Sequence, residues 1–215
     1  MMNKNEILSH IDHTLLKPFA TWEQIDALCK EAVENHTASV CVPPSYIKKI
    51  RENFPDLKIC TVVGFPLGYE TTAGKVADTM QCLDDGADEI DMVINISEVK
   101  NGNYDFVENE IKELREITKG KILKVIIETC YLTEEEKRRV CKCVTNAGAD
   151  YIKTSTGFGT AGATLEDIKL FREEIGPSVR IKAAGGIKTA AQAEEYIENG
   201  CDRVGASSVV GDINA

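Results

Sequence analysis

EIDMVIN (89–95) is the stretch whose pattern decides the fold, and KILKVIIET (121–129), DYIKTS (150–155) and VRIKAA (179–184) repeat its logic. Side chains alternate between the two faces of a strand, so Ile90, Met92 and Ile94 share one face while Glu89, Asp91, Val93 and Asn95 share the other. The same period sets Leu123, Val125 and Ile127 against Lys124, Ile126 and Glu128. It sets Ile152 against Tyr151 and Lys153, and Ile181 against Arg180 and Lys182. In a barrel the apolar face packs under helices and the second face points to the interior. Asp91, Lys124, Lys153 and Lys182 are thereby expected to converge in one enclosed space.

Working outward, further strands are expected at SVCV (39–42), KICTVV (58–63) and DRVGAS (202–207), and IDHTLL (11–16) supplies an eighth. Helical patterns at 21–35, 44–53, 71–85, 104–118, 133–146, 164–175 and 189–199 lie between them. Thr133 followed by Glu136 is a capping box, and Gly148 and Gly200 sit just past helix ends. Strand–helix alternation at this spacing means parallel strands joined by crossover helices. Gly-Ala-Asp or Gly-Cys-Asp recurs at 86–88, 148–150 and 200–202, each time before a strand, as a repeating βα unit requires. No G-x-G-x-x-G follows the first strand, which disfavours an open dinucleotide-binding sheet. The expectation is an α/β protein, a (β/α)8 TIM barrel with an N-terminal helical extension, in one domain over residues 1–215.

Burying an ion without partners costs several kcal/mol or more, so a cluster of inward charges calls for a purpose. A buried ion network that only fixes barrel register is one reading. Three lysines against few acids favours another, in which excess positive charge lowers the pKa of one amine. A free lysine has a pKa of about 10.4, and bringing it toward roughly 7–8 makes a usable nucleophile for Schiff-base chemistry. Lys153 and Lys182 both qualify, and spacing does not choose between them. Gly185-Gly186 after VRIKAA and Ala206-Ser207-Ser208 after DRVG stand where barrel loops bind phosphate, with 154–157 as a third wall.

Composition narrows the classes. Of 215 residues 43% are hydrophobic and 28% charged, with a net charge of −10, which argues against non-specific nucleic-acid binding. A local nest of backbone N–H groups still suits a small phosphate. No 18-residue apolar run suggests a membrane span, and MMNKNEILSHIDHTLLKP lacks the apolar core of a signal peptide. The eight cysteines are scattered, with no C-x-x-C pair, as small core residues in a reducing compartment, so a cytoplasmic protein is expected. His10, His13 and His36 show no metal-ligand spacing, and neither a metal nor a cofactor is expected. Asp12 either faces the cavity or serves a turn.

DHTLLKP (12–18), SVCVPP (39–44), VGFPLG (63–68), EIDMVIN, LKVIIET (123–129), YIKTSTGFGTAGAT (151–164), IKAAGGIKT (181–189) and RVGASS (203–208) together resemble the deoxyribose-phosphate aldolase family. The resemblance runs from about Asp12 to Ser208. It implies a metal-independent class I aldolase that reversibly cleaves 2-deoxy-D-ribose 5-phosphate to D-glyceraldehyde 3-phosphate and acetaldehyde in deoxynucleoside catabolism. It assigns Lys153 as Schiff-base former, Lys182 as the second lysine that lowers the nucleophile's pKa, and Asp91 as the proton donor and acceptor working through water. Asp12 and Lys124 match supporting members of the network, and Thr156, Gly157, Gly185, Gly186, Ser207 and Ser208 match a phosphate cradle. Many members carry a tail tyrosine that assists enamine protonation, whereas this sequence stops at Gly211-Asp212-Ile213-Asn214-Ala215. Another protonating group, and a homo-oligomer (dimer or tetramer) whose neighbouring subunit completes the short last helix, are the expectations. The alternatives are a different phosphate-binding barrel, an isomerase or synthase, and a non-catalytic sugar-phosphate binder.

Overall fold

In the computed structural model, residues 2–215 are described. A short helix α1 (Lys4–Leu8) leads into β1 (Ile11–Thr14), α2 (Trp22–Asn35) and β2 (Ser39–Val42). A 3-10 turn at Pro44–Tyr46 opens α3 (Ile47–Asn53), followed by β3 (Ile59–Val63), α4 (Thr72–Asp84) and β4 (Glu89–Val93). Next come α5 (Ile96–Lys100), α6 (Tyr104–Ile117), β5 (Ile122–Ile126), α7 (Glu134–Asn146) and β6 (Tyr151–Lys153). The chain ends with α8 (Leu165–Glu174), β7 (Arg180–Ala184), α9 (Ala190–Glu198), β8 (Arg203–Ala206) and α10 (Val209–Asn214). Neighbouring strands pair in parallel from β1 to β8, and β8 pairs back on β1, which closes the barrel. No helix among the described residues is long and apolar enough to cross a membrane.

The apolar faces read from the strands are the ones that pack outward. Ile90, Met92, Leu123, Val125 and Ile152 are sealed in one core with Val107, Ile111 and Leu114 of α6 and Val140 and Val144 of α7. Truncating one of these to alanine costs about 2–5 kcal/mol, so the outer layer supplies much of the barrel's cohesion. Capping boxes at Thr21/Gln24, Thr133/Glu136 and Thr189/Gln192 start α2, α7 and α9.

The thrice-used turn has a physical reason. Gly86, Gly148 and Gly200 take φ of 108°, 72° and 99°, which L side chains rarely adopt. The aspartate two residues on then accepts a backbone N–H from the start of the preceding strand: Asp88 from Ile59 (3.2 Å), Asp150 from Leu123 (2.8 Å) and Asp202 from Ile181 (3.0 Å). Each aspartate ties its strand to the one before it.

Several strands end earlier than the sequence expectation, IDHTLL at Thr14 and DYIKTS at Lys153 among them, and two of these ends have a readable cause. EIDMVIN ends as a strand at Val93, because the Asn95 side chain accepts from Glu98 N–H (3.3 Å) and caps α5, a helix the strand-like run concealed. KILKVIIET ends at Ile126, and Glu128 turns into the left-handed region with φ 50°.

Register sets the height of each inward side chain. Asp91 stands opposite Lys124, Ile126 opposite Lys153, and Lys153 opposite Lys182. Arg180 stays exposed at the N-terminal edge with its guanidinium 4.2 Å from the centre of the Tyr151 ring.

Candidate active site

Asp91 is the hub of the interior. Its Oδ2 accepts from Lys153 Nζ at 2.7 Å and Lys182 Nζ at 2.8 Å, and its Oδ1 from Lys124 Nζ at 2.9 Å. The Cys60 thiol adds a fourth donor, 3.1 Å from Oδ1. Lys124 also meets Glu89 at 2.5 Å, Lys182 pairs with Asp12, and Arg203 joins Asp12 at 2.6 Å and Glu89 at 3.3 Å. Asp12 therefore faces the interior, where it accepts a further bond from the Ser39 hydroxyl at 2.8 Å.

The expectation of three lysines among few acids is corrected here. Asp12, Glu89 and Asp91 oppose Lys124, Lys153, Lys182 and Arg203. Burial alone would raise the Asp91 pKa, but the ammoniums of Lys124, Lys153 and Lys182 override it and hold the carboxyl well below its usual range. Asp12 is lowered in the same way, against its burial, by Lys182, Lys124 and Arg203. Desolvation pulls Lys182 down, yet Asp12 and Asp91 outweigh it and raise its pKa. Lys124 is likewise raised, by Asp91 above all, in spite of burial. These two lysines are fixed cations. The sequence missed the balance because Asp12 and Arg203 lie 191 residues apart and meet only when the barrel closes.

Above the network, at the C-terminal ends of the strands, opens a cavity of about 360 Å³. Lys153 lines it, whereas Lys124 and Lys182 are wholly buried beneath. Its walls include Thr14, Leu16, Lys17, Phe158, Ile187 and Ala206. Of the expected cradle, Thr156, Gly157, Gly185, Gly186 and Ser207 also line it. Gly157, Gly185 and Gly186 hold φ of 85°, 86° and 81°, and a Cβ on Gly185 would come within 3.0 Å of Gly162 Cα. Thr156 is anchored to Glu128, which accepts both its hydroxyl and, at 3.1 Å, its N–H. Ser208 is not among the lining residues, and its hydroxyl donates to the Lys188 carbonyl at 2.8 Å.

Glu128 and Cys60 escaped the sequence-based site. Alternation had put Glu128 on the inward face, but nothing local signals its backbone turn or its grip on Thr156. Cys41 is buried beside Cys60 and does not line the cavity. Cys41, Cys60 and Asp91, and separately Asp12, Cys60 and Glu89, bring possible metal-ligating atoms within 4.8 Å of one another. Every carboxylate in both sets already holds lysine or arginine cations. His13 lies buried with Nε2 2.9 Å from Glu31, and His10 and His36 stand outside the cavity.

The sequence model of the DeoC/LacD family aldolases matches residues 7–210. A Clostridium botulinum protein named deoxyribose-phosphate aldolase is 64% identical over 98% of this chain and 96% of its own length. One of the same name from Clostridioides difficile is 56% identical over 94% of this chain and 93% of its own. Among solved structures, a deoxyribose phosphate aldolase from Aeropyrum pernix, described as tetrameric, superposes with a TM-score of 0.91 at 30% identity. That match covers 99% of this chain and 91% of that one.

Proposed function

Because this chain belongs to the DeoC/LacD family aldolases, we propose that it is a class I aldolase reversibly cleaving 2-deoxy-D-ribose 5-phosphate to D-glyceraldehyde 3-phosphate and acetaldehyde, with Lys153 as the Schiff-base lysine. One observation carries the choice of lysine: of the cations on the Asp91 network, Lys153 is the one lining the cavity.

In this cycle Lys153 first passes a proton to water, its free amine adds to C1 of the open-chain sugar, and loss of water leaves an iminium. The bond that breaks is C2–C3, not C3–C4, because only that division leaves two carbons in acetaldehyde and three in the glyceraldehyde phosphate. The electron pair of the bond flows into the iminium to give an enamine, and the C3 hydroxyl proton departs through water to Asp91. Enamine protonation and hydrolysis then free acetaldehyde. The iminium cation forms where an ammonium already sits 2.7 Å from Asp91, so its counter-charge is in place before the reaction begins. Lys182, held cationic 2.8 Å from the same oxygen, supplies the fixed positive neighbour. Asp12 and Lys124 lock Lys182 and Asp91 from behind. Thr156, Gly157, Gly185, Gly186 and Ser207, with the backbone at Ser208, receive the phosphate, and this remote binding orients the reacting carbon.

The same reading makes the protein one cytoplasmic catalytic domain over residues 1–215, acting in deoxyribose phosphate catabolism as a homo-oligomer, dimer or tetramer. The tetrameric description of the Aeropyrum pernix relative supports the oligomer, and sedimentation of the purified protein measures it.

The deciding experiment reduces the protein with borohydride in the presence of acetaldehyde and maps the modified residue by mass spectrometry. An ethyl group on Lys153, absent from Lys153→Ala, is expected. A label on Lys182, or none, sinks the proposal.

A further inference from the structure

A phosphate monoester brings nearly two negative charges into a protein whose own net charge is −10, and hydroxyls and backbone N–H groups alone offset them poorly. The cavity wall holds two cations among the described residues, Lys153 and Lys17. Lys153 is engaged by Asp91 and, in the proposed cycle, by the aldehyde end of the substrate. Lys17 has neither engagement. It follows β1, and β8 pairs with both β1 and β7, so the Lys17 turn neighbours the loops that carry Ser207 and Gly185–Gly186.

The turn is built to hold this residue at the rim. Leu15 N–H donates to the Cys41 carbonyl at 3.0 Å, Ala20 N–H closes onto the Lys17 carbonyl at 3.0 Å, and the Tyr46 hydroxyl grips Ala20 O at 2.7 Å. The side chain remains exposed, and no carboxylate among the described residues pairs with it. Its ammonium lies 5.8 Å from the centre of the Phe19 ring, an aromatic face that leaves the donors free.

We propose that Lys17 is the cation that receives the substrate's phosphate and so sets the preference for phosphorylated over unphosphorylated sugars. This rests on the aldolase reading above. A charge-assisted contact at a partly wet rim corresponds to about a tenfold effect. Being exposed, it is screened by salt.

The test compares wild type, Lys17→Ala and Lys17→Arg by the ratio of kcat/KM for 2-deoxy-D-ribose 5-phosphate to that for 2-deoxy-D-ribose, and by calorimetric binding of inorganic phosphate. Lys17→Ala should lower the ratio about tenfold through KM, weaken phosphate binding in parallel and lose its salt dependence, with Lys17→Arg restoring most of each. A ratio and a phosphate affinity equal to wild type, or an equal loss on both sugars, overturns the assignment. If wild type cleaves neither sugar while Lys17→Ala still loses inorganic phosphate, the aldolase reading falls and the phosphate contact stands.

Discussion

Lys75 and Glu110 meet at 2.8 Å between α4 and α6, as fully sealed from solvent as the charges inside the barrel, yet they respond to burial in the opposite way. Desolvation lowers the Lys75 pKa in spite of Glu110, and it raises that of Glu110 in spite of Lys75. In the interior, Lys182 is raised and Asp91 lowered, although both are buried just as deeply. The difference is the number of opposite charges each group faces. Lys75 contacts one carboxylate and a carbonyl, Val93 O at 2.8 Å, with Glu70 adding a lesser attraction, whereas Asp91 contacts three ammoniums. One partner does not offset the loss of water, and several do. The outer pair clamps α4 to α6, and the inner set keeps its groups charged.

The comparison breaks most sharply through activity. Lys153→Ala should reduce deoxyribose phosphate cleavage by on the order of 10⁴-fold or more, as loss of a covalent nucleophile does, with Asp91 still paired to two ammoniums and thermal unfolding little changed. A residual rate within tenfold of wild type would dismiss Lys153 as nucleophile.

Stability comes next. Asp91→Asn leaves three ammoniums crowded without their shared anion, and urea unfolding should show a loss of about 3–5 kcal/mol. Replacing the outer pair together, Lys75→Met with Glu110→Leu, should fall within about 1 kcal/mol of wild type, because it removes two desolvation costs along with one attraction. Equal losses in the two variants would erase the distinction.

The pH responses should also run in opposite directions. A lowered carboxyl such as Asp91 contributes stability that is present above its unfolded value near 3.8 and is lost as pH falls toward its folded value. A raised one such as Glu110 costs stability when ionised, so its contribution improves as pH drops through its folded value toward 4.5. Relative to the Lys75→Met/Glu110→Leu variant, wild type should therefore gain stability in mild acid, by at most about 1.4 kcal/mol per pH unit for the one group. Both should lose stability below about pH 4. Parallel curves throughout would contradict the Glu110 assignment.

The smallest effect isolates hydrogen bonding from charge. Cys60→Ala deletes one donor to Asp91 but no ammonium, so denaturant unfolding should shift by only about 1 kcal/mol. A loss as large as that of Asp91→Asn would mean the thiol, rather than the lysines, holds the carboxylate.

Much of this is legible in the sequence alone. Two-residue alternation in EIDMVIN and its fellows gave both faces of four strands, and the Gly-x-Asp repeat announced parallel βα units. The site was less legible. The Thr156–Glu128 link depends on a left-handed φ at Glu128 that no local signal demands, and Ser208, read as part of the cradle, turns its hydroxyl to Lys188. Helix α5 hid behind Asn95, whose side chain caps a helix from within a strand-like run.

By itself the sequence determined which side chains share a strand face, because that follows from covalent geometry along a single strand. Only the tertiary structure decided which lysine meets the cavity and which are sealed below. Height in the barrel comes from register between strands, Asp91 against Lys124 and Lys153 against Lys182, and no strand carries that information alone. Closure of β8 on β1 likewise brought Asp12 and Arg203 into the network, and with them the charge balance that makes Lys182 a permanent cation.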